Sequence, residues 1–207
     1  MNVNDMLLLE RHRSTCNWIP TYGFVERLAR SVDAQRLCEV GVAYGYHAEH
    51  MLDHMPGIEY QGVDPYVAGY DVKDSFARDV AQVLYRDEPQ RAMDRLHRAV
   101  HCKLGLYDGR ANLVRATSVR GAARMADGYF DLVYIDGDHT YDGVINDLNA
   151  WYAKVRQGGI LCGDDFDWAG VRNAVVDFMT AKGRHEEVVA YLAAGPNSPA
   201  VKWSIAM

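Results

Sequence analysis

The chain has 207 residues, 49% of them hydrophobic and 24% charged, which is enough for one well-buried domain and short for two. A formal net charge of -6 argues against a nucleic-acid partner, and the local basic stretches Arg11–Arg13 and Arg91–Arg98 read as solvated helix faces. Four scattered cysteines (Cys16, Cys38, Cys102, Cys162) suggest neither a disulfide framework nor a zinc site. With no signal-like N-terminus and no apolar run of membrane-spanning length, the expectation is a reduced, cytoplasmic protein.

In chain order, Phe24, Val25 and Leu28 share one helical face, so residues 1–35 are expected to form a helical segment. Arg36–Val40 (RLCEV) reads as a first strand, followed by the turn Gly41–Gly45 and a helix from about His47 to Met55. Ile58–Val63 is a second strand, ending at Asp64 and Pro65. The interval to Asn112 is longer than a simple crossover needs. Phe76, Val80, Val83 and Leu84 form one helical pattern, and Met93, Leu96 and Val100 form another after Pro89. Residues 66–110 are therefore read as a crossover helix plus an inserted helical cap.

Ala111–Ala116, Phe130–Ile135 and Gly159–Cys162 are the third to fifth strands. Between the last two, Val144, Ile145, Leu148, Trp151, Tyr152 and Val155 follow helical spacing. Thr140 is the expected N-cap, and Gly158-Gly159 the expected stop. His185–Leu192 and Ala200–Ile205 read as a hairpin-like pair around Gly195, Pro196, Asn197 and Pro199, hence an antiparallel edge. The alternation predicts one α/β domain over residues 1–207, built on a mostly parallel sheet.

Chemistry gathers at the strand ends, where open parallel sheets bind ligands. Asp136, Asp138 and His139 finish the fourth strand, and Asp164 and Asp165 the fifth. Glu39-Val40-Gly41-Val42-Ala43-Tyr44-Gly45 closes the first strand with an acid two residues before a glycine turn, and Asp64 ends the second. A carboxylate there can accept both hydroxyls of a ribose. Asp142 and Asp147 read as helix-face or first-turn acids, and Asp167 as peripheral.

The E-x-G-x-x-x-G form resembles the first motif of class I S-adenosylmethionine-dependent methyltransferases. Asp136-Gly137-Asp138-His139 followed by Asp164-Asp165 resembles methyltransferase family 24 and the Mg-dependent O-methyltransferases of macrolide-sugar and aminocoumarin type. The resemblance covers about Arg36 to Trp168. It implies a single-domain Rossmann-like fold with a mostly parallel seven-stranded sheet, an antiparallel C-terminal edge strand and a helical cap insertion. It also implies S-adenosylmethionine contacts at Glu39, Gly41, Ala43, Tyr44, Gly45, Asp64, Thr117, Ser118 and Asp136. Asp136, Asp164 and Asp165 become Mg²⁺ ligands and Asp138 the general base, a role His139 could share through its near-neutral pKa. The implied acceptor is a small hydroxylated molecule: a sugar, a polyhydroxylated natural product or a catechol-like phenol. Trp18, Tyr22, Tyr66, Tyr70, Trp168 and Trp203 are candidates to line its pocket; the oligomeric state stays open, with the N-terminal helix and cap the natural elements of a homodimer in such enzymes. The competing readings are a nicotinamide-dependent oxidoreductase, which would want a third glycine among Tyr46, His47 and Ala48, and a non-catalytic module that binds the same cofactor.

Overall fold

Seven strands form one sheet: β1 (Arg36–Val40), β2 (Glu59–Asp64), β3 (Ala111–Arg115), β4 (Phe130–Ile135), β5 (Val155–Gly163), β6 (Val189–Ala194) and β7 (Pro199–Ala206). This is a computed structural model, and it describes residues 3–16, 22–70, 75–194 and 199–207. Trp18 and the turn residues Gly195, Pro196 and Asn197 lie outside the described residues. The strand order is β3-β2-β1-β4-β5-β7-β6. The first five strands are parallel, and β7 runs antiparallel between β5 and β6, as the expected edge requires.

The helices are α1 (Val3–Arg13), α2 (Gly23–Ser31), α3 (Tyr46–His54), α4 (Phe76–Asp79), α5 (Pro89–Leu104), α6 (Ser118–Ala122), α7 (Tyr141–Trp151) and α8 (Ala169–Ala181). One face of the sheet, with Leu37, Leu132 and Cys162, packs under α1, α2, α3 and α5. The other, with Cys38, Val133 and Leu161, packs under α6, α7 and α8. Neighbouring residues on one strand feed opposite cores because side chains alternate across a sheet. Every residue of β4 is buried, as a central parallel strand covered on both faces must be.

The chain winds outward in both directions from the adjacent pair β1 and β4, which makes their carboxyl ends the switch point where a crevice opens. Val40 is in register with both Val63 and Ile135. Gly41, Asp64 and Asp136 therefore leave the sheet at the same level. Over this end, α4 runs into a π-helical turn at Val80–Tyr85 and then α5, so residues 76–104 form a helical cap. Helix α1 is tied to α5 by ion pairs of Asp5 with Arg95 at 2.6 Å and of Glu10 with Lys103, and to α3 by Arg13 with Glu49 at 3.1 Å; Lys103 also joins Glu49 at 2.7 Å.

Three sequence expectations change. Helix α7 has its N-cap at Thr140, whose Oγ1 accepts from the Gly143 amide at 3.1 Å, but it ends at Trp151. Val155 opens β5, and Gly158-Gly159 lies inside that strand instead of stopping the helix. A Cβ on Gly159 would meet the Asp131 carbonyl oxygen at 2.5 Å, so the glycine serves close strand pairing beside the β4–β5 irregularity. Finally, His185–Glu187 forms a short 3₁₀ turn, and the strand expected from His185 begins at Val189. Among the described residues no helix is long and apolar enough to cross a membrane.

Candidate active site

The turn after β1 is shaped by close backbone approach. Gly41 has φ +91°, and a Cβ there would sit 1.8 Å from the Asp136 carbonyl oxygen, so no other residue fits. Gly45 also takes the left-handed conformation, φ +74°, as the N-cap of α3. Ala43, Tyr66 and Asp165 are non-glycine residues in that region, with φ near +50° (49°, 47° and 55°); they flank the same end of the sheet. Such strain persists only where the surroundings impose it, and it concentrates at functional sites.

Asp64 holds this turn in place. Its Oδ2 accepts from the amides of Val42 and Ala43, each at 3.0 Å, and its Oδ1 accepts from Tyr66 at 2.7 Å. Burial raises its pKa against the pull of those three bonds. Glu39 is buried deeper, accepting a hydrogen bond from the Tyr60 hydroxyl. His47 Nδ1 lies 3.2 Å from Glu39 Oε1, but at an angle that forms no hydrogen bond, so both imidazole nitrogens are buried without one.

A cleft of about 210 Å³, partly open to solvent, lies above these strand ends. Of the residues singled out from sequence, Gly41, Ala43, Asp64, Ser118, Asp136, Asp138 and His139 line it. Glu39, Tyr44, Gly45 and Thr117 stand behind its wall. Tyr44 turns away to stack on Tyr46 at 5.4 Å, with Phe76 edge-on at 5.0 Å. Tyr70, Phe76 and Met93 close the cleft from the cap side.

The acidic cluster divides into two hydrogen-bonded groups. His139 Nε2 lies 2.8 Å from Asp165 Oδ2 and 4.0 Å from Asp136 Oδ1, and donor atoms of the three come within 4.8 Å of one another. Asp164 is held differently: Lys202 of β7, fully buried, donates to its Oδ2, and the Tyr134 hydroxyl lies 3.2 Å from both Asp164 Oδ2 and Asp136 Oδ2. Burial, then the neighbouring Asp164 and Asp165, push the Asp136 pKa up to about 7. Asp138 Oδ1 accepts from the Thr140 amide at 2.7 Å, and its carboxyl group packs against Gly143, where a Cβ would be 2.2 Å away. It thus faces the cleft while bracing the start of α7.

Two site residues escaped the sequence reading. Asp147, read as a helix-face acid, is buried and lines the cleft, with its pKa raised to about 7 by burial despite a hydrogen bond from Ser118. Ser118 Oγ in turn accepts from Trp151 Nε1 at 2.8 Å. The signal was present: 144, 147, 148 and 151 share one helical face, so Asp147 interrupts an apolar stripe. Lys202 sits alone in the apolar β7 pattern Ala-Val-Lys-Trp, which is the comparable clue. Asp142 and Asp167 are exposed, as read.

Of the aromatic candidates, Tyr70 lines the cleft and Trp168 lies 5.0 Å from the His139 ring. Tyr66 and Trp203 are fully buried in the core, and Tyr22 packs on His47 and His50, so these three do not supply an acceptor wall.

Residues 38–166, more than half of the chain, match a family model described as a methyltransferase domain. An uncharacterized protein of Acanthamoeba polyphaga mimivirus is 38% identical over 60 residues, 25% of this chain and 27% of that protein, so the match spans about a quarter of that relative. A candidate O-methyltransferase from Klebsiella pneumoniae superposes with a TM-score of 0.62 at 17% identity, over 96% of this chain and 89% of that one. The O-methyltransferase TomG of Streptomyces achromogenes, involved in tomaymycin synthesis and solved in complex with SAM, gives 0.56 at 16%, over 91% and 80%. Identities this low speak to the shared fold alone.

Proposed function

The chain belongs to this methyltransferase-domain family, and we propose that it transfers the methyl group of S-adenosylmethionine to a hydroxyl of a small molecule, with a divalent cation such as Mg²⁺ at the acidic cluster. The observation that carries the reading is the convergence of Gly41, Asp64 and Ser118 with Asp136, Asp138 and His139 on one cleft. The strand ends that suit a nucleoside and the acids that suit proton transfer thus share a wall.

The residues fit the cofactor. Gly41 lets the backbone come close, Asp64 keeps one acceptor site on Oδ1 beyond its three amide bonds, and the buried His47 imidazole, 3.2 Å from Glu39, makes no hydrogen bond. They fit a divalent cation as well. Asp136, Asp165 and His139 bring two carboxylates and an imidazole nitrogen within 4.8 Å of one another, which supplies oxygen and nitrogen donors. Such an ion, when bound, would polarise an acceptor hydroxyl and ease its deprotonation. The chain's own groups orient and move the proton. With Oδ1 of Asp138 occupied by Thr140, its Oδ2 is the atom left to accept a proton, and His139 is the alternative acceptor. The cap residues Tyr70, Phe76 and Met93 exclude water and hold the acceptor in line, the larger share of what a displacement reaction needs.

The test is thermal stabilisation by S-adenosylhomocysteine against NAD, followed by transfer of labelled methyl groups to a catechol and sugar panel with and without EDTA. Stabilisation by S-adenosylhomocysteine and label in the methyl ether of a panel acceptor, separated by chromatography, support the reading. Preferential stabilisation by NAD would overturn it, and full activity in excess EDTA would overturn the cation's part.

A further inference from the structure

On the outer side of α3, His50 and His54 are one turn apart and therefore share a face. Glu26 of α2 meets that face: His50 Nε2 lies 2.9 Å from Glu26 Oε2, and the His54 ring stacks on His50 at 4.1 Å with 27° between planes. One donor atom from each residue lies within 4.8 Å of the other two. We propose that Glu26, His50 and His54 form a second metal site, independent of the methyl-transfer cleft, that takes a borderline divalent ion such as Zn²⁺.

The arrangement is more specific than two surface histidines. His54 Nδ1 donates to the His50 carbonyl at 2.8 Å, which fixes its tautomer and leaves Nε2 as the lone-pair nitrogen. Metal-ligating imidazoles are commonly oriented by such a bond from the other ring nitrogen. Arg30 Nε donates to Glu26 Oε1 at 2.9 Å, leaving Oε2 for the site, and Arg30 Nη2 donates to the His54 carbonyl at 2.6 Å. His50 and Glu26 keep only 16% and 18% of their side-chain surface exposed, so the site is walled on one side and open at His54.

Protonation also suits a cation. Burial and the neighbouring His54 lower the pKa of His50, favouring the neutral ring. Burial opposes ionisation of Glu26, but bonds from Arg30 and His50 outweigh it and keep the carboxylate charged. A plain His–Glu hydrogen bond between helices would account for the 2.9 Å contact. It would not account for a second imidazole stacked on the first with its own outer bond in place. Two nitrogens and one oxygen suit Zn²⁺, Co²⁺ or Ni²⁺ better than Mg²⁺ or Ca²⁺. The ion would pin α2 to α3, the helix that begins at Gly45 in the cofactor turn.

The experiment is Co²⁺ titration of the full chain carrying Asp165→Asn, which weakens the competing cluster at the cleft, followed by visible absorption and Zn²⁺ displacement. The expected result is one Co²⁺ per chain with d–d bands of a four- or five-coordinate ion, displaced by Zn²⁺. His54→Ala, at an exposed position, should weaken binding at least tenfold while the metal-free melting temperature stays the same. Saturating Zn²⁺ should raise the melting temperature by on the order of 5 °C in the parent and not in His54→Ala. Absence of Co²⁺ binding, or bands equally strong in His54→Ala and Glu26→Gln, would overturn the site.

Discussion

His139 Nε2 lies 2.8 Å from Asp165 Oδ2, which joins the ends of β4 and β5 through side chains as well as through the sheet. The adjacent acid, Asp164, points its carboxylate instead at Lys202 of β7. Two neighbouring aspartates thus serve different partners, and only one is free to act with the imidazole.

Replacing Asp165 tests that division. Asp165→Asn keeps a residue that tolerates φ 55° but removes the charge. Mn²⁺ affinity by calorimetry should fall at least tenfold, about 1.4 kcal/mol, with S-adenosylhomocysteine affinity within about twofold of wild type. Unchanged Mn²⁺ affinity would remove Asp165 from the donor set.

Lys202→Met strips the buried pair of its cation and leaves Asp164 uncompensated. Removing one partner of such a pair costs about 3–5 kcal/mol, and Lys202→Met with Asp164→Asn should recover most of it. Urea unfolding of wild type and both variants measures this. A single variant as stable as wild type would show that the pair does not depend on the ammonium.

Asp138→Asn retains an oxygen for the Thr140 amide, so the loop should survive while the proton acceptor is lost. Turnover should drop about a hundredfold or more with little change in KM. Near-normal turnover would leave Asp138 as a brace for α7 and pass the base role to His139.

Asp147 predicts a pH dependence. Its folded pKa, about 7, is raised above the ordinary 3.8 by burial, so the fold favours the protonated acid. That favourable term is fully present below about pH 4 and is lost as pH rises toward about 7, up to about 4 kcal/mol as a ceiling. The melting temperature of wild type should therefore fall across this window relative to Asp147→Asn. Parallel curves for the two proteins would show that Asp147 does not titrate in that window.

Much of this molecule was legible from residue order. Strands such as Phe130–Ile135 announce themselves because a strand buried on both faces is mainly apolar, here with Asp131 as the one acid inside it, and the acids at the end of β2 and just past β4 and β5 stand where apolar runs stop. Gly41 and Gly45 were readable because only glycine accepts those turns without strain. Gly158-Gly159 was misread because two glycines look alike whether they end a helix or relieve a crowded strand pair; the Asp131 carbonyl that decides between these lies on β4.

The sequence by itself determined which residues sit at strand ends, and hence that acids, glycines and one histidine gather at the switch point. Local periodicity is enough for that, since it depends on neighbours along the chain. Only the tertiary structure decided the partners: Lys202 on Asp164, Ser118 on Asp147, His139 on Asp165, Glu26 on His50. These bonds depend on strand order and helix packing, which bring residues 38, 29, 26 and 24 positions apart within hydrogen-bond reach. No local pattern encodes that distance, nor that burial prevails at Asp147 while the bonds from Arg30 and His50 outweigh it at Glu26.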